Sequence, residues 1–261
     1  MAELMTPLTA VFAVIGLIIG FSKTSVGGLA AIAVAIAALA MPAKESTAAI
    51  LAVLIAGDLV AVRLFGRHVD WSLLRSLIPA VVPGLVLGTL FLAVVSDEVL
   101  RRSIGVMLLV LVGLQLWLGR RRRTRPPRTG SEPEAEGGGP SRADHPLTSW
   151  ITGTAAGFTT MTANAAGAVM TLLFVAKGVE KARFIGSFAW FFLGVNLAKV
   201  PFSVGLGLMS WIDVWRAVLV FPVVVLGGFA GRALVRRMAQ HQFEIAVLLG
   251  SAVAAVALVV G

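Results

Sequence analysis

Cysteine is absent from these 261 residues, and histidine occurs three times, at His68, His145 and His241. The first absence excludes disulfides and thiolate metal sites, and the scattered histidines have no spacing that would build a metal site. Charge is scarce as well. Charged residues make up 13% of the chain against 58% hydrophobic residues, and mean hydropathy is +0.93, outside the usual range of a soluble domain. The apolar runs contain no Ser/His/Asp, HExxH or paired-carboxylate constellation. An enzyme is therefore not expected, and neither is a cofactor.

What the chain does have is apolar sequence, in runs that exceed one spanning helix and are too numerous for peripheral attachment. These runs predict an all-α integral membrane protein. The formal net charge of +9 reads as a topology signal beside membrane spans, so the expected partner is the lipid bilayer and not nucleic acid. Glu3 and the lack of a base before the first apolar run argue against a cleaved signal peptide.

One segment occurs twice. Gly16-Leu17-Ile18-Ile19-Gly20-Phe21-Ser22-Lys23-Thr24-Ser25 recurs as Gly153-Thr154-Ala155-Ala156-Gly157-Phe158-Thr159-Thr160-Met161-Thr162, at an offset of 137. Further on, Asp70, Pro79, Gly84 and Gly88 are matched by Asp213, Pro222, Gly227 and Gly231 at an offset of 143. Two apolar halves, each opening with a Gly/Ser/Thr interruption of a hydrophobic run, point to a secondary transporter with its site between the repeats.

Ordinary spans are predicted at 48–65, 77–95 and 101–118 in an N-terminal repeat over 1–118, and at 183–200, 215–232 and 243–260 in a C-terminal repeat over 149–261. Residues 7–41 are too long for one crossing, at about 50 Å as a single helix. They and 149–176 carry Gly and hydroxyl residues at their middles. Each is read as two short helices meeting at a break, 7–19 with 28–41 and 149–159 with 165–176.

Charge then arbitrates whether the breaks are reversals or kinks. With both segments re-entrant, 16 Lys and Arg residues fall on one face and 5 on the other, leaving out Lys23 inside the first break; with both crossing, the split is 12 to 9. The positive-inside rule favours two inverted repeats, each a broken re-entrant hairpin plus three spans. It also puts the basic linker, 119–148, in the cytoplasm of a bacterial-type inner membrane. That linker runs from Arg120-Arg121-Arg122-Arg123 through Pro126-Pro127 to Gly137-Gly138-Gly139-Pro140, a composition that predicts disorder.

The run Gly157 to Gly167, followed by Glu180-Lys181-Ala182-Arg183-Phe184 and by Ala189-Trp190-Phe191-Phe192-Leu193-Gly194-Val195-Asn196-Leu197-Ala198-Lys199-Val200-Pro201-Phe202, resembles the TauE/SafE family of sulfite exporters. Gly16 to Gly28 is similar to that family's N-terminal glycine-rich motif. The resemblance implies export of sulfite, or of a small organosulfonate or carboxylate anion, across the cytoplasmic membrane.

The residues independently suggest an anion. A break at membrane depth frees backbone N–H groups, and the arm that follows points its positive end at the break. Ser22, Thr24, Ser25, Thr159, Thr160, Thr162 and Asn164 supply neutral donors beside it, as at helix-terminus anion sites. Lys23 is the formal charge within the breaks, at an insertion cost of about 2.5–3.5 kcal/mol. If Lys23 instead pairs with Asp58, the anion rests on dipoles and hydroxyls. Asp58, matched by Asn196 at an offset of 138, has two readings: a coupling-proton carrier, or the neutraliser of Lys23 or Arg63. Lys199 is either a guide for the departing anion or a lysine that snorkels to the interface. Trp71, Trp150, Trp211 and Trp215 fall at predicted span ends, where interfacial anchors belong. An anion channel is the alternative from another class, and a homodimer is left open.

Overall fold

The computed structural model describes residues 7–25, 29–100, 146–164, 166–176 and 179–239, with scattered positions in 102–113 and 242–249. Apart from those positions, the expected spans 101–118 and 243–260 and most of the linker lie outside the described residues. Within them every element is helical: α1 (Pro7–Thr24), α2 (Ala30–Ala40), α3 (Ala43–Phe65), α4 (Trp71–Val94), α5 (Pro146–Ala163), α6 (Ala166–Ala176), α7 (Lys181–Gly205) and α8 (Trp211–Arg237). Four stretches are long and apolar enough to cross a membrane, Ala43–His68, Leu77–Val94, Lys181–Gly205 and Trp211–Arg237. α5 opens at Pro146, so the last residues of the expected linker are helical. Proline suits that first position because its missing N–H has no helical partner there anyway.

Both long apolar segments are broken, but later than the sequence suggests. α1 and α5 each run for 18 residues, and the second arms, α2 and α6, for 11. The Gly/Ser/Thr stretches are therefore helical up to the break. The hydroxyls explain this: Thr24 Oγ1 donates to the Gly20 carbonyl at 3.0 Å, Ser25 Oγ to Phe21 at 2.5 Å, Thr159 Oγ1 to Ala155 at 2.8 Å and Thr162 Oγ1 to Phe158 at 2.9 Å. Each bond runs back one turn, so polar side chains stay satisfied inside an apolar helix without breaking it. α5 ends where Asn164 takes a positive φ of 50°, a left-handed conformation that asparagine tolerates better than most residues.

The repeated glycines make two matching contacts between the halves. α1 lies parallel to α8: Gly16 faces Val220 and Val224, Gly20 lies against the Val224 carbonyl, and Thr24 Oγ1 shares its one hydrogen between the Gly20 carbonyl and the Gly228 carbonyl, the latter at 2.8 Å. α5 lies parallel to α4 in the same way, with Gly153 against Ala80 and Leu77, Gly157 against Val81 and Gly84, and Met161 against Gly88. The offsets of 137 and 143 thus belong to the two sides of one kind of contact. A Cβ at Gly20, Gly84, Gly157 or Gly227 would collide with the partner's backbone, and close approach of this kind is the use of small residues between helices in lipid.

α3 and α7 run antiparallel. Asp58 meets Asn196, and further along α3 the Gly66 carbonyl accepts from Trp190 Nε1 at 3.2 Å. At the same end the Asp70 N–H donates to Ser187 Oγ at 2.8 Å. Lys181 Nζ there caps the end of α8, donating to the carbonyls of Val235 at 3.2 Å and Met238 at 2.7 Å. The last turns of α3 and α8 and the first turns of α4 and α7 therefore share one end of the bundle, and Arg63, Arg67, Arg75, Arg183, Arg236 and Arg237 lie on it. The four anchoring tryptophans are well exposed, from 48% at Trp71 to 80% at Trp211, as bilayer contact requires.

The matched Asp70 and Asp213 both serve helix starts, by different routes. Asp70 is the N-cap of α4 and accepts from Ser72 and Leu73 N–H. Asp213 is the third residue of α8 and completes a capping box with Ser210. Pro79 and Pro222 sit inside α4 and α8 and not at their starts, because these caps begin each helix earlier.

Candidate functional site

The face of α7 formed by Phe192, Asn196 and Lys199 is set by helical spacing, and it looks toward the ends of both broken helices. At the end of α1, Lys23 Nζ lies 2.6 Å from Asp58 Oδ1 and 4.4 Å from the centre of the Phe192 ring. Asn196 Nδ2 donates to Asp58 Oδ2 at 2.6 Å. Asp58 is fully buried, so the carboxylate is held by an ammonium on one oxygen and an amide on the other. A buried pair of this kind survives because the partners satisfy each other and the ring adds a cation–π contact. Of the two cations that the sequence offers Asp58, the geometry pairs it with Lys23; Arg63 is exposed.

One turn along α7, Lys199 serves the other break. It is 1% exposed, so it does not snorkel. Its Nζ donates to the Thr160 carbonyl at 2.7 Å and to Asn164 Oδ1, while Asn164 Nδ2 donates to the Thr47 carbonyl of α3 at 3.2 Å. The ammonium therefore sits on the last turn of α5, at the negative end of the helix dipole.

The result is a polar line through an apolar bundle, from Thr47 and Asn164 through Lys199 and Asn196 to Asp58 and Lys23. It brings together Lys23, Asp58, Thr160, Asn164, Asn196 and Lys199. Thr24, Ser25, Thr159 and Thr162 are buried close by, but their hydroxyl hydrogens are committed to the carbonyls named above. Ser22 is buried and also engaged. The sequence reading leaned on hydroxyls; the geometry puts amides and ammoniums at the front.

Three contributors escaped the sequence. Phe192 passes for ordinary apolar core, and Thr47 contributes a backbone oxygen that no pattern announces. Gly57 could have been noticed, since it adjoins the buried acid in mid-span. A Cβ there would come within 2.7 Å of Ile19 and 3.2 Å of the Lys23 stem, so its absence makes room for the lysine. A separate hollow of about 510 Å³ between α4 and α5, lined by Leu87, Trp150, Ile151, Thr154, Ala155 and Phe158, is apolar and lies on the outer surface, away from the polar line. Among the described residues no group of His, Cys, Asp and Glu could hold a metal ion.

No curated protein and no solved structure matches the chain. The family described as sulfite exporter TauE/SafE matches it over residues 12–258. With that match across nearly its whole length, on a helical bundle with apolar crossings, the chain belongs to the TauE/SafE sulfite exporter family, a family of membrane transporters and not of enzymes.

Proposed function

We propose that this transporter exports a small sulfur-containing anion, sulfite first, through a site at the middle of the membrane between the two broken helices. The observation that carries the reading is Lys199. With Lys23 paired to Asp58, a second ammonium stands buried beside the other break, held by a carbonyl and an amide oxygen, neither of which carries a full charge. An unneutralised cation at membrane depth is costly and marks an ion pathway by default. The amides of Asn164 and Asn196 flank it, and the α2 and α6 N-termini that follow the breaks add positive dipole ends.

Inverted repeats in an inner membrane complete the reading. Support comes from the antiparallel run of α3 and α7, from the long arms α1 and α5 pairing with α8 and α4, and from the arginine-rich end, which belongs in the cytoplasm. Two inverted halves can exchange which side reaches a fixed central site. One negative charge leaving a negative interior gains about 2.3 kcal/mol per 100 mV, so export needs no coupling ion.

The test is uptake of labelled sulfite by purified protein in liposomes, with sulfate, sulfoacetate and acetate as competitors. Saturable, sulfite-selective flux is expected. Large ohmic current without saturation would make the protein an anion channel, and selective competition by acetate would move the substrate to carboxylates.

A further inference from the structure

The charges along the polar line do not cancel. Lys23 and Lys199 bring two ammoniums and Asp58 brings one carboxylate. The other buried acid among the described residues, Asp213, is occupied at the start of α8 by the Ser210 cap and by Arg216 at 3.4 Å. The helix end under Lys199 supplies about half a charge of dipole, which orients the ammonium without replacing a counter-ion. The line is thus about one positive charge in excess.

A second observation concerns hydrogen bonding. The Asn196 amide spends its N–H on Asp58, an acceptor-only partner, and this fixes the amide's orientation. Its oxygen is buried beside them with no hydrogen-bond partner among the described residues. A buried acceptor of this kind wants an O–H or N–H.

Resting on the anion-transport reading above, we infer that the site is matched to a singly charged oxyanion, one that balances the excess ammonium and can offer a proton to Asn196 Oδ1. Hydrogen sulfite meets both conditions. The doubly charged sulfite and sulfate ions overshoot the charge and carry no donor. A sulfonate meets the charge condition alone. Asp58 sets the selectivity by holding the net charge at one: without its carboxylate the same space carries two positive charges and suits a dianion.

The test is competition against labelled sulfite uptake in liposomes at a fixed neutral pH, comparing methanesulfonate with sulfate. Both lack an O–H there, so the comparison isolates charge. In the native protein methanesulfonate should inhibit at a concentration about tenfold or more below that of sulfate. Asp58→Asn should shift that ratio toward sulfate by about tenfold, and the exchange Asp58→Asn with Asn196→Asp, which restores one carboxylate, should bring it back. Equal inhibition by the two ions in the native protein, including none by either, or preference for sulfate, overturns the inference. So does an unchanged ratio in an Asp58→Asn protein that still carries sulfite. Should Asp58→Asn carry none, the native ratio and the exchanged pair decide. Absence of any sulfite uptake by the native protein would instead remove the transport reading itself.

Discussion

At the scale of single residues, the account rests on two lysines with different jobs. Lys23 is neutralised by Asp58 in direct contact, whereas Lys199 donates to the neutral oxygens of Thr160 and Asn164. Lys199→Met should therefore abolish most sulfite flux, by about tenfold or more, while the protein still purifies as a folded species, and Lys199→Arg should restore part of it. A Lys199→Met protein with native flux would place the anion elsewhere. A residue outside the membrane gives a pH-dependent prediction. The Ser72 hydroxyl, at 2.5 Å, and then the Leu73 N–H hold the Asp70 carboxyl below its ordinary value. A depressed carboxyl contributes stability that is present above its unfolded value and lost as pH falls through its folded one. Asp70→Ala should thus cost about 1 kcal/mol near neutral pH and progressively less in acid, read as thermal unfolding in detergent. Asp70→Asn should keep the cap and lose that pH dependence.

At the scale of elements, the glycine contacts between α1 and α8 and between α4 and α5 hold the broken helices where the site needs them. Gly84→Val would drive a side chain into the Thr154 carbonyl and the backbone of Gly157 and Phe158. An overpacking cost of about 1–3 kcal/mol is expected, seen as a lowered unfolding temperature together with reduced flux. Gly194→Val, at an exposed glycine with open space around it among the described residues, should leave the unfolding temperature unchanged. This is also where the sequence was most and least legible. The two offsets were plain in the sequence because a glycine demanded by backbone contact leaves no substitute. The break positions were misplaced by several residues because Gly, Ser and Thr weaken helices in water. In an apolar bundle the Ser25 and Thr162 hydroxyls bond back to their own helices instead.

At the scale of the whole molecule, membrane character could be read from composition, since it depends on many residues acting together, and the family from the resemblance carried by the runs around Gly157 and Asn196. The pairing of sites could not. Lys199 and Asn164 are distant in sequence and meet because α7 crosses both breaks, and a lysine near a span end reads equally well as one that snorkels. The polar line draws on residues from both sides of the linker, Lys23, Thr47 and Asp58 before it and Asn164, Asn196 and Lys199 after it. Loss of a charge at either end of it should therefore act on one and the same transport step. Lys23→Ala and Lys199→Met, each lowering sulfite flux singly, should cost together far less than the product of their separate effects, the mark of neighbours in one network. Multiplicative losses would separate the two ends into independent sites.

The most direct test of the central claim is the flux of labelled sulfite into liposomes containing the purified protein, under an imposed membrane potential. The account predicts saturable uptake that rises as the receiving side is made more positive and that falls by about tenfold or more in the Lys199→Met protein. Uptake no greater than in protein-free liposomes, or uptake indifferent to that substitution, would contradict it.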